Sequence, residues 1–131
     1  MKFIKSIFAF ATIFAVNSVA AQSLTEKWPQ IKAYHEVMSK TFHPAEEGNL
    51  EPIRKDAESL LEKANALSVE NMPAEFRSPK LIETLIVLKK ETKVVTELVK
   101  QKASDDEITK ALTKLHDIVH QIVGLCQPEK K

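Results

Sequence analysis

Apolar residues recur every three or four positions in four separate stretches of the chain, which is the spacing of one face of an α-helix. The first stretch covers residues 25–42, and the second covers residues 49–67 with Pro52 in its first turn, where a missing N–H costs little. The third covers residues 78–102, and the fourth begins at Ser104 in a capping-box sequence. The pattern therefore predicts four amphipathic helices.

Helix-breaking residues separate these stretches. Pro44 and Gly48 are predicted to stop the first helix, and Gly124 and Pro128 to close the fourth. Residues 68–79 are predicted to form the one long connection. Because the first and third links are short, neighbouring helices should be antiparallel. The predicted fold class is all-α, an up-down-up-down four-helix bundle.

The N-terminal residues have a different pattern. Lys2 and Lys5 precede an uncharged apolar run over residues 7–16, which ends in small residues. A run of about ten residues is too short to cross a bilayer and is typical of a secretory signal peptide. We therefore predict a signal peptide at residues 1–21 and one bundle domain at residues 22–131, without a membrane span. This organisation predicts a periplasmic or secreted protein.

Composition and charge exclude several classes of function. The 131 residues are 44% hydrophobic and 28% charged, which suits one folded domain rather than a disordered chain. The 19 basic and 18 acidic residues give a net charge of +1, and no basic stripe indicates a nucleic-acid partner. The sequence contains no phosphate-binding loop, nucleophile elbow or H-E-x-x-H motif, so we predict no enzymatic activity.

All four histidines belong to the first and fourth predicted helices. His116 and His120 are four residues apart, so they project from one face and can share a metal ion. His35 occurs within the apolar stripe of the first helix. Matching the ends of these helices as antiparallel neighbours puts His35 level with residues 112–116. On that alignment His43 is roughly 12 to 18 Å from the level of His116.

These positions predict a transition-metal site near the middle of the bundle. Its proposed ligands are His35, His116 and His120, with Met38 as a weaker fourth ligand. Imidazole and thioether ligands suit copper or zinc, with haem iron as the alternative. The metal ion would be the partner, and the role would be storage, buffering or sensing.

Simpler structural roles remain open for the same residues. His35 could be a core histidine, His116 and His120 a solvated surface pair, and Met38 a core side chain. In that case the bundle carries no cofactor and binds a protein partner or none. For His43 and the acidic residues 105–107, helix capping is the favoured interpretation. The single Cys126 excludes an internal disulfide and is predicted to be a buried or partly buried thiol.

Two resemblances add to this picture. Four segments resemble small exported bacterial proteins, a likeness that implies no particular activity; they are residues 28–29, 35–38, 42–49 and 115–126. The predicted architecture resembles the periplasmic cytochromes b562 and c-prime. Those families take an axial histidine late in the fourth helix, and the b-type takes a methionine from the first. The resemblance implies His116 or His120 as one axial ligand, with Met38 or His35 as the other. Because the C-x-x-C-H attachment motif is missing, the haem would be held non-covalently.

Overall fold

The computed structural model describes residues 24–126, and all regular secondary structure in this part of the chain is helical. The α-helices are α1 (Pro29–Glu46), α2 (Glu51–Asn65), α3 (Pro79–Lys100) and α4 (Asp105–Leu125), and a 3₁₀ helix spans Ala74–Phe76. One further helical turn, at residues 24–27, precedes α1. The prediction of an all-α fold is confirmed for the described residues. The predicted signal peptide at residues 1–21 lies outside them.

The helices of the described residues enclose one hydrophobic core. Each helix packs against the next one in the chain, and α1 also packs against α4. Buried apolar side chains from all four helices form one cluster, joined by residues of the long connection. Its largest fully buried members are Trp28, Tyr34, Met38, Ile53, Leu60, Leu67, Met72, Leu81, Leu88, Ile108, Leu112 and Leu115. Between residues 24 and 126, no helix is both long enough and apolar enough to span a membrane.

Proline residues and serine caps mark the starts of the helices. Three helices have a proline in their first two positions, where the backbone N–H has no partner within the helix anyway. The hydroxyl of Ser78 accepts a hydrogen bond from the Leu81 N–H at 3.1 Å, and that of Ser104 accepts one from the Glu107 N–H at 3.2 Å. Each serine thus satisfies one of the N–H groups that a helix leaves unpaired at its start.

The end of α1 differs from the prediction, because the helix continues through Pro44 to Glu46. Two hydrogen bonds close it there: the Gly48 N–H donates to the Ala45 carbonyl at 3.0 Å, and the Asn49 N–H donates to the Pro44 carbonyl at 2.9 Å. This pairing is a Schellman motif, which needs a left-handed residue, and Gly48 has φ +90°. Because Pro44 has no N–H to donate to the carbonyl four residues earlier, α1 continues through it with one helical hydrogen bond fewer.

Buried hydroxyl groups are paired inside the core. The Tyr34 hydroxyl lies 2.9 Å from Thr92 Oγ1, and Thr92 donates to the Leu88 carbonyl at 2.7 Å. Since the single hydroxyl proton of Thr92 is used in that way, Tyr34 is the donor to Thr92. Every buried side-chain nitrogen or oxygen in the described residues has a hydrogen-bond partner.

Candidate metal centre

Two histidines on α4 meet in a geometry that suits one metal ion. His116 and His120 are one helical turn apart, and their Nε2 atoms are 3.3 Å from each other. Their ring centroids are 4.4 Å apart and the rings are tilted by 57°. A tetrahedral ion with metal–nitrogen bonds of 2.0–2.1 Å holds its ligand nitrogens about 3.3 Å apart. The spacing is therefore the one that a shared ion requires.

A phenyl ring from α1 fixes the orientation of one of these histidines. The ring of Phe42 stacks on that of His116, with centroids 3.8 Å apart and planes within 9°. His116 is only partly exposed, whereas His120 is exposed. Burial is the main cause that lowers the pKa of His116, and the positive charges of His120 and His43 lower it further against the opposing carboxylates of Asp117 and Glu46. A lowered pKa favours the neutral imidazole, which is the form that binds metal.

A third histidine lies close to this pair, contrary to the prediction. The ring centroid of His43 is 6.5 Å from that of His116, so the expected separation of 12 to 18 Å is wrong. The stack of Phe42 on His116 shows why: α1 and α4 are offset along their axes, whereas the prediction matched their ends. The Nδ1 atom of His43 also lies 3.3 Å from a carboxylate oxygen of Glu46, and their side chains are 65% and 53% exposed.

The inward placement predicted for His35 is wrong. His35 is exposed, while its neighbour Tyr34 is fully buried and takes the core position. The same offset of the helices puts His35 level with the end of α4 rather than with His116. There, His35 and His120 line one cavity between the two helices. His116 is not part of the lining of this cavity.

Met38 and Cys126 are core residues. Met38, the weaker ligand of the prediction, is 1% exposed and packs within the hydrophobic cluster. Cys126 is also buried, as expected, and burial raises its pKa to about 11. At neutral pH this cysteine is therefore a thiol, whereas metal ions bind the thiolate.

The acidic start of α4 serves the fold. A carboxylate oxygen of Asp105 accepts a hydrogen bond from Arg54 at 2.6 Å, which links α4 to α2. Together with the Ser104 cap, this agrees with the structural interpretation of the acidic residues 105–107.

The cluster of His43, His116 and His120 is not yet a closed ligand set. Within residues 24–126, no three His, Cys, Asp or Glu side chains are gathered closely enough to hold a metal ion as they stand. The α4 pair has the spacing of two ligands to one ion, and the ring of His43, 6.5 Å from that of His116 between centroids, is close enough to join it. No protein-family model, curated protein or solved structure matches the chain.

Proposed function

We propose that this protein binds a transition-metal ion on the face formed by α1 and α4, with His116 and His120 as its first two ligands. The observation that carries the proposal is the 3.3 Å separation of their Nε2 atoms. The same distance also suits a hydrogen bond between two neutral imidazoles. The experiment below separates the two, because a hydrogen-bonded pair gains no stability from added metal.

His43 is the proposed third ligand. A tetrahedral ion held through Nε2 atoms places the ring centroids of its histidines roughly 5 Å apart. The centroids of His43 and His116 are 6.5 Å apart, so His43 has to change its side-chain rotamer to become a ligand. His43 belongs to the last turn of α1 and is largely exposed, so its ring has room to turn.

Zinc and copper are the proposed ions, since imidazole ligands in a tetrahedral arrangement suit both. His43 and His120 are exposed and His116 is partly exposed, which favours an ion that exchanges with solution. Among storage, buffering and sensing, the site therefore supports buffering or sensing best. A binding role of this kind needs no catalytic group.

The proposal extends to the fold and the compartment. On α3, Lys100 contacts Glu58 of α2, and the earlier residue Lys89 contacts the carbonyl of Leu67, which follows α2. A later residue of α3 thus meets an earlier residue of the α2 segment, so α2 and α3 are antiparallel. This supports an up-down-up-down four-helix bundle. The signal peptide proposed at residues 1–21 implies a periplasmic or secreted protein. Mass spectrometry of the cellular protein should then find an N-terminus at Ala21 or Gln22, and a mature protein that retains Met1 would contradict it.

Thermal melts with and without metal test the ion site. Zinc or copper(II) should raise the melting temperature of the wild type, because the unfolded chain lacks the assembled ligands; at 100 times Kd the gain is about 2.7 kcal/mol. His116→Gln and His120→Gln should abolish the shift, and His43→Gln should reduce it. His35→Gln is the matched control and should keep the full shift.

The other outcomes select the alternatives. If metal leaves the wild-type melt unchanged, or shifts His120→Gln as much as the wild type, the ion site is wrong. An absorption band typical of haem in protein from its native source would replace the bare ion with the cytochrome-like alternative. If the protein binds neither metal nor haem, the remaining alternative is a partner-binding bundle without a cofactor.

A further inference from the structure

Helix α3 has an apolar stripe on the side that faces away from the core. Ile86 is 62% exposed, Val87 38% and Val94 39%, and these are three of the five large hydrophobic side chains that are exposed in the described residues. The opposite side of the same helix, which includes Leu88 and Thr92, is buried in the bundle. One apolar face is enough to hold a helix in a bundle, so a second one on the outside indicates an interaction surface.

Two charged residues belong to this stripe, one on each side of its most exposed part. Glu83 and Lys90 stand three or four positions from Ile86 and Val87, so all four share one face of α3. Both charged residues are exposed, and neither forms an ion pair with any residue between 24 and 126. Seven positions along a helix are about 10.5 Å, so they do not pair with each other in one copy. Their charges are therefore available to a partner.

The order of these residues is complementary to itself when a second copy of the helix runs in the opposite direction. If a two-fold axis passes between Ile86 and Val87, these two side chains meet their counterparts in the other copy. In the same arrangement, Glu83 of each copy lies level with Lys90 of the other. Apolar groups thus lie opposite apolar groups and negative charge opposite positive charge, as a self-complementary two-fold interface requires.

The flanking residues favour the same register. Val94 lies level with Pro79 of the other copy, and both are exposed, so two apolar groups meet there as well. An axis through Lys90 would instead place Lys90 opposite itself and Glu83 opposite Glu97. Like charges in those positions repel each other, which disfavours that register.

We propose that two copies of this protein form a two-fold symmetric dimer through antiparallel α3 helices, with Ile86 and Val87 at the axis and Glu83 of each copy paired with Lys90 of the other. Each copy contributes few apolar side chains, so the interface belongs to the small class and the dimer exchanges with the monomer. The inference does not rest on the metal site, which lies on α1 and α4. A chelator is added in the tests, because exposed histidines of two copies could otherwise share an ion.

Analytical ultracentrifugation at protein concentrations from about 10 μM to about 1 mM tests for the dimer. The average mass of the wild type should rise with concentration and fit a monomer–dimer equilibrium. Ile86→Lys places two like charges at the axis and should weaken association about tenfold or more. Val69→Lys is the matched control, since Val69 is 37% exposed in the long connection and lies outside the stripe. Circular dichroism checks that each variant is folded.

Three results would overturn the proposal. A wild type that stays monomeric over this range would leave the stripe to a different partner. Association of Ile86→Lys equal to that of the wild type would place the contact elsewhere. An equal loss in Val69→Lys would show that the effect does not come from the stripe.

A charge exchange tests the register. Glu83→Lys and Lys90→Glu should each weaken the dimer, because each leaves two like charges level with one another. The double variant should recover most of the wild-type association, because the exchanged charges pair again across the axis. Recovery cannot come from a contact within one copy, where the two positions are about 10.5 Å apart along α3. A double variant that associates no better than the single variants would overturn the proposal.

Discussion

At the scale of single residues, the hydrogen bond from Tyr34 to Thr92 joins α1 and α3 inside the core. Tyr34→Phe removes the donor but leaves Thr92 bonded to the Leu88 carbonyl, so it should cost only about 1 kcal/mol. Thr92→Val leaves the buried Tyr34 hydroxyl without an acceptor and should cost about 1 to 3 kcal/mol. Urea unfolding midpoints of the two variants check this order, and a larger loss for Tyr34→Phe would contradict it.

His116 gives the site a second residue-scale property, a dependence of stability on pH. Its pKa is lowered in the folded protein, chiefly by burial, so the unfolded chain binds a proton more readily. Stability should therefore rise with pH between the folded-state pKa and the unfolded value of about 6.5, and fall on acidification through that window. Urea unfolding from pH 5 to pH 8 measures the slope, and nuclear magnetic resonance gives the titration of the ring.

His116→Gln is the variant that identifies the source of this dependence. It removes the titrating ring, so the slope of stability against pH should flatten in that window. An equally steep slope in His116→Gln would assign the dependence to another group. The same protonation competes with metal, so ion affinity should also fall as the pH drops towards the lowered pKa of His116.

At the scale of elements, α1 and α3 end in the same Schellman motif with different residues at the left-handed position. Gly48 has φ +90° after α1, and Lys102 has φ +57° after α3, where the Ala103 N–H donates to the Leu98 carbonyl at 3.0 Å. A side chain in this conformation costs roughly 1 to 2 kcal/mol. Gly48→Ala should therefore destabilise the protein by about 1 kcal/mol.

Lys102→Gly should have the opposite sign. It relieves the left-handed side chain, while the more flexible unfolded chain offsets part of that gain, so an increase of a fraction of 1 kcal/mol is expected. Denaturant midpoints of both variants provide the comparison. A loss of stability in Lys102→Gly would show that the Lys102 side chain contributes more than its backbone conformation costs.

The helices could be predicted from the sequence because proline, serine caps and apolar spacing are local signals. The choice between Tyr34 and His35 is different. Both residues stand three or four positions from Ile31 and Met38, so either completes an apolar stripe. Tyr34 takes the core position because it buries more apolar surface and finds Thr92 for its hydroxyl.

The proximity of His43 to His116 could not be predicted either. Helix ends give no information on how far two antiparallel helices slide along each other, and this offset determines which histidines meet. The α4 pair was predictable, because its spacing depends on one helix alone. Side chains on the same helix could thus be placed from the sequence, whereas the third ligand and the cavity depend on tertiary packing.

At the scale of the whole molecule, the side chain of Asn71 in the long connection links the start of α1 to the end of α2. The Nε1–H of Trp28, which is fully buried before α1, donates to Asn71 Oδ1 at 3.0 Å. The same oxygen accepts from the Ser68 N–H at 3.2 Å, and Asn71 Nδ2 donates to the Ala66 carbonyl at 2.7 Å. Asn71 thus holds the connection in shape and ties it to α1.

Asn71→Ala should weaken the whole molecule rather than the connection alone. It removes three hydrogen bonds and leaves the buried indole N–H of Trp28 without its acceptor, so we expect a loss of about 2 kcal/mol or more. Asn71→Asp keeps the oxygen acceptor and loses the amide donor, so it should cost less.

Because Trp28 is the only tryptophan and lies in the hydrophobic core, its fluorescence should report the same unfolding transition as far-ultraviolet circular dichroism. Both probes should shift together in Asn71→Ala. If fluorescence shifts while circular dichroism does not, the connection and the start of α1 open separately from the remaining helices, and the molecule does not unfold as one unit.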